Sequence, residues 1–163
     1  MLSKLLVFND VSTSALVAYV HYLGIILCFG ALMFERIILK INLSKNEIIS
    51  IIIADVMYGI AGLAILITGI LRVKYYGQGG EFYTSNPIFW VKVSLYILIG
   101  LISLYPTTTY ILWAIPLSKN KFPIISENLV KSFKLIIMTE LVGFAVIPFF
   151  ATLMSRGIGL VQN

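Results

Sequence analysis

Residues 18–36 read AYVHYLGIILCFGALMFER. The run is too apolar to be one face of a soluble helix, and its flanks carry it past the roughly 20 residues that cross a bilayer. Within it stand the chain's only histidine, His21, and its only cysteine, Cys28. It closes on an acid–base neighbour pair, Glu35 and Arg36. At about 3.6 residues per turn, His21, Gly24, Cys28 and Glu35 fall on one stripe. Lipid solvates neither imidazole nor carboxylate, so that stripe is expected to face other helices.

The remaining sequence is of the same kind. Of 163 residues, 60% are hydrophobic and 12% charged, against roughly 25% charged in a soluble domain, and the mean hydropathy is +0.99. These totals predict an all-α integral membrane four-helix bundle, a single transmembrane domain over residues 1–163. The net charge of +5 would suit nucleic acid, but the basic residues are scattered and flank apolar runs. They read as the lysine and arginine bias of cytoplasmic loops, with the lipid bilayer as partner and no nucleic acid. One cysteine excludes an internal disulfide and any cysteine-rich metal site. Cys28 itself reads as a small apolar filler. The first apolar run is too long for a signal-peptide core and is expected to be retained.

Helix signals divide the chain into spans at roughly 11–39, 47–76, 87–113 and 127–155. Residues 1–10 form an amphipathic lead-in, with Asp10, Ser12 and Ser14 as candidate caps. Ser44 and Glu47 have the spacing of a capping box. Gly77-Gln78-Gly79-Gly80 breaks the second span, and residues 81–85 complete a polar loop. Asn86 reads as a cap with Pro87 in the first turn. Pro106 and Pro148 predict bends, Pro116 and Pro123 bracket the last connection, and residues 157–163 are expected to fray. In the second span Asp55, Gly59, Gly62, Gly69 and Arg72 make a small-residue face on which a homodimer could form. Arg36, Lys40, Lys45, Lys119, Lys121, Lys131 and Lys134 gather at one side, and Lys4, Arg72, Lys74, Lys92 and Arg156 at the other. The first group then faces the cytoplasm, with both termini outside.

A charged side chain at bilayer depth costs about 2.5–3.5 kcal/mol on insertion scales, so each needs a reason. His21 is either a neutral histidine bonded between helices, to a carbonyl or to Tyr58, Tyr75 or Tyr96, or an axial ligand to haem iron in a helical bundle. A single histidine cannot make a bis-histidine site within one chain. Lys92, after Phe89-Trp90-Val91, is either a snorkelling lysine in an aromatic belt or a cation for an anionic group. Arg72 carries the same two readings. Glu140 has no basic residue within a helical turn, so it pairs with Arg72 or Lys92 from another helix, is protonated, or relays protons. Asp55 is expected to pair with Arg36 or to cap backbone. Glu35, Arg36, Asp55, Tyr58 and Arg156 complete the expected buried polar set. No phosphate loop, Ser/His/Asp triad or metal-ligand spacing is present.

The series His21, Glu35-Arg36, Asp55-xx-Tyr58-Gly59, Gly69-xx-Arg72, Gly80-xx-Tyr83-xx-Asn86-Pro87-xx-Trp90-x-Lys92, Gly100-Leu101-x-Ser103, Pro106-Thr107, Glu140 and Met154-x-Arg156-Gly157 resembles a bacterial membrane family, domain of unknown function 2214. That resemblance implies a four-helix protein of the bacterial inner membrane and brings no activity with it. A second, partial one runs through His21-xx-Gly24-xxxx-Phe29-Gly30-x-Leu32 and Trp90-x-Lys92, which resemble the HemJ-type protoporphyrinogen oxidases and the copper-resistance D-like group. It implies haem b on His21 and a substrate or propionate contact at Lys92. The basic and acidic segment that follows the first helix in the HemJ type is replaced here by a short turn, residues 40–46.

Three functions follow. The first is a haem-binding redox protein acting on a porphyrin or quinone, with His21 on iron, Arg72 and Lys92 on anionic groups, and Glu140 moving protons. The second is a small transporter or ion pathway using Asp55, Glu140, Lys92 and Arg72 through the membrane depth. The third is a structural or assembly subunit whose polar residues lock helices together. Whether the chain is an enzyme stays open at this stage.

Overall fold

The computed structural model describes residues 2–119 and 121–159, with side chains from residue 10 onward. Helix α1 covers Leu2–Ile38, α2 Lys45–Leu71, a short α3 Gly80–Thr84, α4 Pro87–Ser118 and α5 Glu127–Ser155. A π-helical turn, Arg72–Tyr76, prolongs α2. Among the described residues, four helices are long and apolar enough to cross a membrane: Asp10–Ile38, Lys45–Tyr76, Pro87–Ser118 and Glu127–Ser155.

Several ends form for the reasons the sequence suggests. Ser44 accepts the Glu47 backbone N–H while Glu47 accepts the Ser44 N–H at 2.8 Å, completing the capping box. Asn86 accepts the Ile88 N–H at 2.9 Å, and Pro87 next to it has no N–H in need of an acceptor. Ser126 caps α5 through the Leu129 N–H at 3.2 Å.

Other boundaries differ. Asp10, Ser12 and Ser14 lie inside α1, not at its start. The side chains of the lead-in and residues 160–163 of the tail fall outside the described residues. The loop at 81–85 closes as helix α3. Helix α4 runs on past Pro116, because a proline near a helix end removes only one bond. The tail through Gly159 is packed: Asn86 donates to the Ile158 carbonyl at 3.0 Å. The N–H groups of Gly157 and Ile158 close α5 on the carbonyls of Met154 and Leu153, with Gly157 at φ 78°.

The four long helices form a ring in chain order. Helix α1 packs on α2 and α5, α4 packs on α2 and α5, and the diagonal pairs meet only through side chains that cross the centre, such as Tyr58 and Phe144. Large aliphatic side chains such as Ile26, Ile60, Leu63 and Leu101 point outward and are 60% exposed or more. Cys28, Leu32, Ile51, Ile65, Ile99, Phe133 and Ile137 fill the centre. Apolar groups thus cover both the core and the rim, as a lipid-facing bundle requires. The turn 39–44 and the α4–α5 loop define one end, called here the turn end; the loop 77–86 and the end of α5 define the other.

Candidate functional site

Toward the turn end, three helices each send one carboxylate inward. Glu35 comes from α1, Asp55 from α2 and Glu140 from α5; Glu35 and Glu140 are each 1% exposed and Asp55 7%. Each lies within electrostatic reach of the other two. Helix α4 completes the ring with Thr107, which donates to Asp55 Oδ1 at 2.7 Å, and Tyr110, whose fully buried hydroxyl sits beside Glu35. Among the described residues Oε1 of Glu140 has no hydrogen-bond partner, and Oε1 of Glu35 and the Tyr110 hydroxyl have none beyond each other. No lysine or arginine of the described residues is among the charges acting on these carboxylates.

The cations expected to pair here go elsewhere. Arg36 follows Glu35 but points about 100° away round the helix, and its Nη1 donates to the Lys134 carbonyl at 2.9 Å. Asp55 therefore bonds to Thr107, not to Arg36. Arg72 and Lys92 do not pair with Glu140. Lys92 is one turn into α4, while Glu140 lies about 22 Å from the far end of α5.

Between the two ends, Tyr58 is buried, stacks edge-on against Phe144 at 6.0 Å, and lies within reach of Glu140. Its carbonyl faces the Cys28 thiol at 3.6 Å. Tyr96 donates to the Gly62 carbonyl at 2.6 Å, joining α4 to α2 at the same level.

The opposite end holds His21, Arg72 and Lys92, each half-buried. His21 Nδ1 stands 2.9 Å from the Thr68 hydroxyl, whose one proton points to the Ala64 carbonyl at 2.5 Å. With that proton engaged, the Thr68 oxygen is placed to accept from Nδ1–H, the tautomer in which Nε2 carries a lone pair. The partner is a threonine on α2, not one of the tyrosines expected. Arg72 Nη2 donates to the Tyr22 hydroxyl at 3.3 Å, and its guanidinium lies 5.1 Å over the same ring. Lys92 Nζ lies 5.5 Å over the Phe89 ring. Arg156 is exposed at the C-cap of α5 and joins neither cluster among the described residues.

Sequence reasoning missed Thr68, Thr107, Tyr110 and Tyr22. A signal existed for two of them: Ser103, Pro106, Thr107 and Tyr110 recur at helical spacing on one face of α4. Two surface grooves, one between α1 and α2 and one between α2 and α4 near the turn end, are lined by neither His21 nor any of the carboxylates. Among the described residues, no three His, Cys, Asp or Glu side chains are arranged to hold a metal ion.

A family model described as a predicted membrane protein (DUF2214) matches residues 13–159. No curated protein and no solved structure matches the chain.

Proposed function

The chain belongs to the predicted membrane protein family DUF2214, and from that premise we propose that it handles protons, as part of a small transporter or ion pathway. One observation carries this reading: Glu35, Asp55 and Glu140 are each buried and lie within electrostatic reach of one another, with no cation of the described residues acting on them. Three carboxyl groups in an apolar core are cheapest to hold when they share protons. A shared proton on unpartnered oxygens is free to change hosts. The basic residues at the turn end favour a cytoplasmic face for it in a bacterial inner membrane, with both termini outside.

The four helices of one chain surround this cluster, so no dimer is needed to enclose it. A homodimer would seat on the exposed Gly59 face of α2, where an added Cβ meets nothing within 4 Å; cross-linking of Gly59→Cys reads it. The proton reading is tested in liposomes that enclose a pH-sensitive dye, under an imposed pH gradient and a potassium diffusion potential. Proton entry above that of empty vesicles is expected, and Glu140→Gln should abolish it. Entry equal to that of empty vesicles, with no carboxylic-acid C=O infrared band lost in Glu140→Gln, overturns it.

A separate observation favours a second reading, haem b bound for redox work on a porphyrin or quinone. Donation from Nδ1 to Thr68 leaves His21 Nε2 in the form an iron ligand needs. Arg72 and Lys92 stand near enough to hold anionic substituents of the same group. Haem would supply one-electron chemistry; the chain would orient it. An absorption spectrum of the purified protein, oxidised and reduced, decides: a Soret band that His21→Ala removes supports it, and a colourless preparation after haem supplementation sinks it.

A further inference from the structure

Arg72, at the end of α2, and Lys92, in the second turn of α4, lie within electrostatic reach of His21 and of one another. Among the described residues neither has an ion-pair partner; both ion pairs, Lys40–Glu47 and Glu127–Lys131, lie at the turn end. His21 brings no negative charge. Of the five donors a guanidinium carries, one is used, on Tyr22. The three donors of the Lys92 ammonium meet only the face of Phe89. Two uncompensated cations drawn together at half-buried depth oppose insertion unless an anion joins them.

The backbone around Arg72 is built, not loose. Arg72 opens the π-helical turn Arg72–Tyr76, a rare conformation found often at functional sites. A Cβ at Gly77 would collide with the Arg72 carbonyl and the Tyr83 hydroxyl, so only glycine closes this turn. Ser14 of α1 donates to the Tyr76 carbonyl at 3.1 Å, and Tyr83 of α3 is buried beneath. The approach is aromatic: Tyr22, Trp90 and Tyr75 are each more than half exposed, in the manner of headgroup-level belts.

We infer that Arg72 and Lys92 form a binding site for a phosphate oxyanion at the end of the bundle away from the 39–44 turn. Guanidinium and ammonium together suit phosphate, the first by its fork and the second as a point charge. The phosphate is carried by a lipid headgroup or is free in solution. The inference uses no carboxylate, so it stands or falls apart from the proton reading; it gives to phosphate the two cations that the haem reading gives to the anionic substituents of haem.

The test has two arms. In the lipid arm, the protein is delipidated stepwise from nanodiscs of phosphatidylcholine with phosphatidylglycerol, and retained lipid is counted by native mass spectrometry. In the free-anion arm, thermal unfolding in zwitterionic detergent is followed with sodium phosphate against sodium chloride at matched ionic strength. Retained phosphatidylglycerol, or a phosphate-dependent rise in melting temperature, is expected in the wild type. Arg72→Gln with Lys92→Gln should lose it, with an affinity loss of at least about tenfold. Lys92→Arg should keep it and guards against a variant that merely misfolds. Lys74→Gln, which removes an exposed cation at the same end, should also keep it. No retention and no shift in the wild type, or equal losses in Lys74→Gln and the double variant, overturns the inference.

Discussion

The turn end and the opposite end of this bundle solve the same problem in opposite ways. At the turn end, negative groups are sealed: Glu35 and Glu140 are each 1% exposed, and a neutral ring of Thr107 and Tyr110 surrounds them. At the other end, positive groups are half-open and lean on aromatic rings, Arg72 on Tyr22 and Lys92 on Phe89. Chemistry explains the asymmetry. A carboxyl group can take up a proton and enter an apolar core as a neutral group, whereas a guanidinium cannot shed its charge. The acidic site can therefore be buried, and the basic one must keep contact with water, headgroups or a bound anion.

The largest effect should come from filling space at the sealed level, with the open one as its contrast. In Gly143→Ala, one turn beyond Glu140, the new methyl would run into Ile99 of α4. Overpacking there should cost up to about 3 kcal/mol. The same substitution at Gly69 brings a Cβ to 3.5 Å from the His21 ring, an ordinary contact, and should be neutral within about 0.5 kcal/mol. Thermal unfolding of both variants in one detergent checks the pair. Equal losses would mean that the two ends are packed alike.

A smaller contrast is available with threonine. Thr107→Val strips Asp55 of its donor inside the sealed cluster and should cost about 2 kcal/mol. Thr68→Val strips His21 of its buried acceptor, but the half-buried ring can turn to water, so the loss should be about 1 kcal/mol. The reverse order, measured in the same way, would contradict the account of the two ends.

Much of this was legible beforehand, and the boundary of legibility is physical. Hydropathy and caps place the spans because lipid and unpaired backbone groups impose strong local rules; Ser44, Asn86 and Ser126 each cap as their spacing suggests. Helical periodicity also predicts that Glu35 faces inward. It does not say which way the neighbouring helices are rotated. Asp55 and Arg36 were natural partners by charge, yet the rotation of α4 brings Thr107 to Asp55 and leaves Arg36 on a backbone carbonyl. The π-turn at Arg72–Tyr76 has no local signature beyond Gly77, since its cause is tertiary: Tyr83 and Ser14 hold it.

The smallest expected change in stability is also the most diagnostic. If Glu140 were a structural lock, as in an assembly subunit, its removal would leave partners stranded and cost several kcal/mol. Its Oε1 has no partner, and the charges that reach it are other carboxylates, which do not reward its presence. Glu140→Leu keeps the volume and deletes the polar group, a change that is near neutral or stabilising when the site was poorly satisfied. The variant should thus melt within about 1 kcal/mol of wild type while proton entry into liposomes is lost. Loss of stability with unchanged proton entry would instead assign Glu140 to helix packing, and the sealed end would become scaffold. Unchanged stability with lost proton entry would mean that this buried carboxylate is kept for what it does with a proton, as proposed, and not for packing.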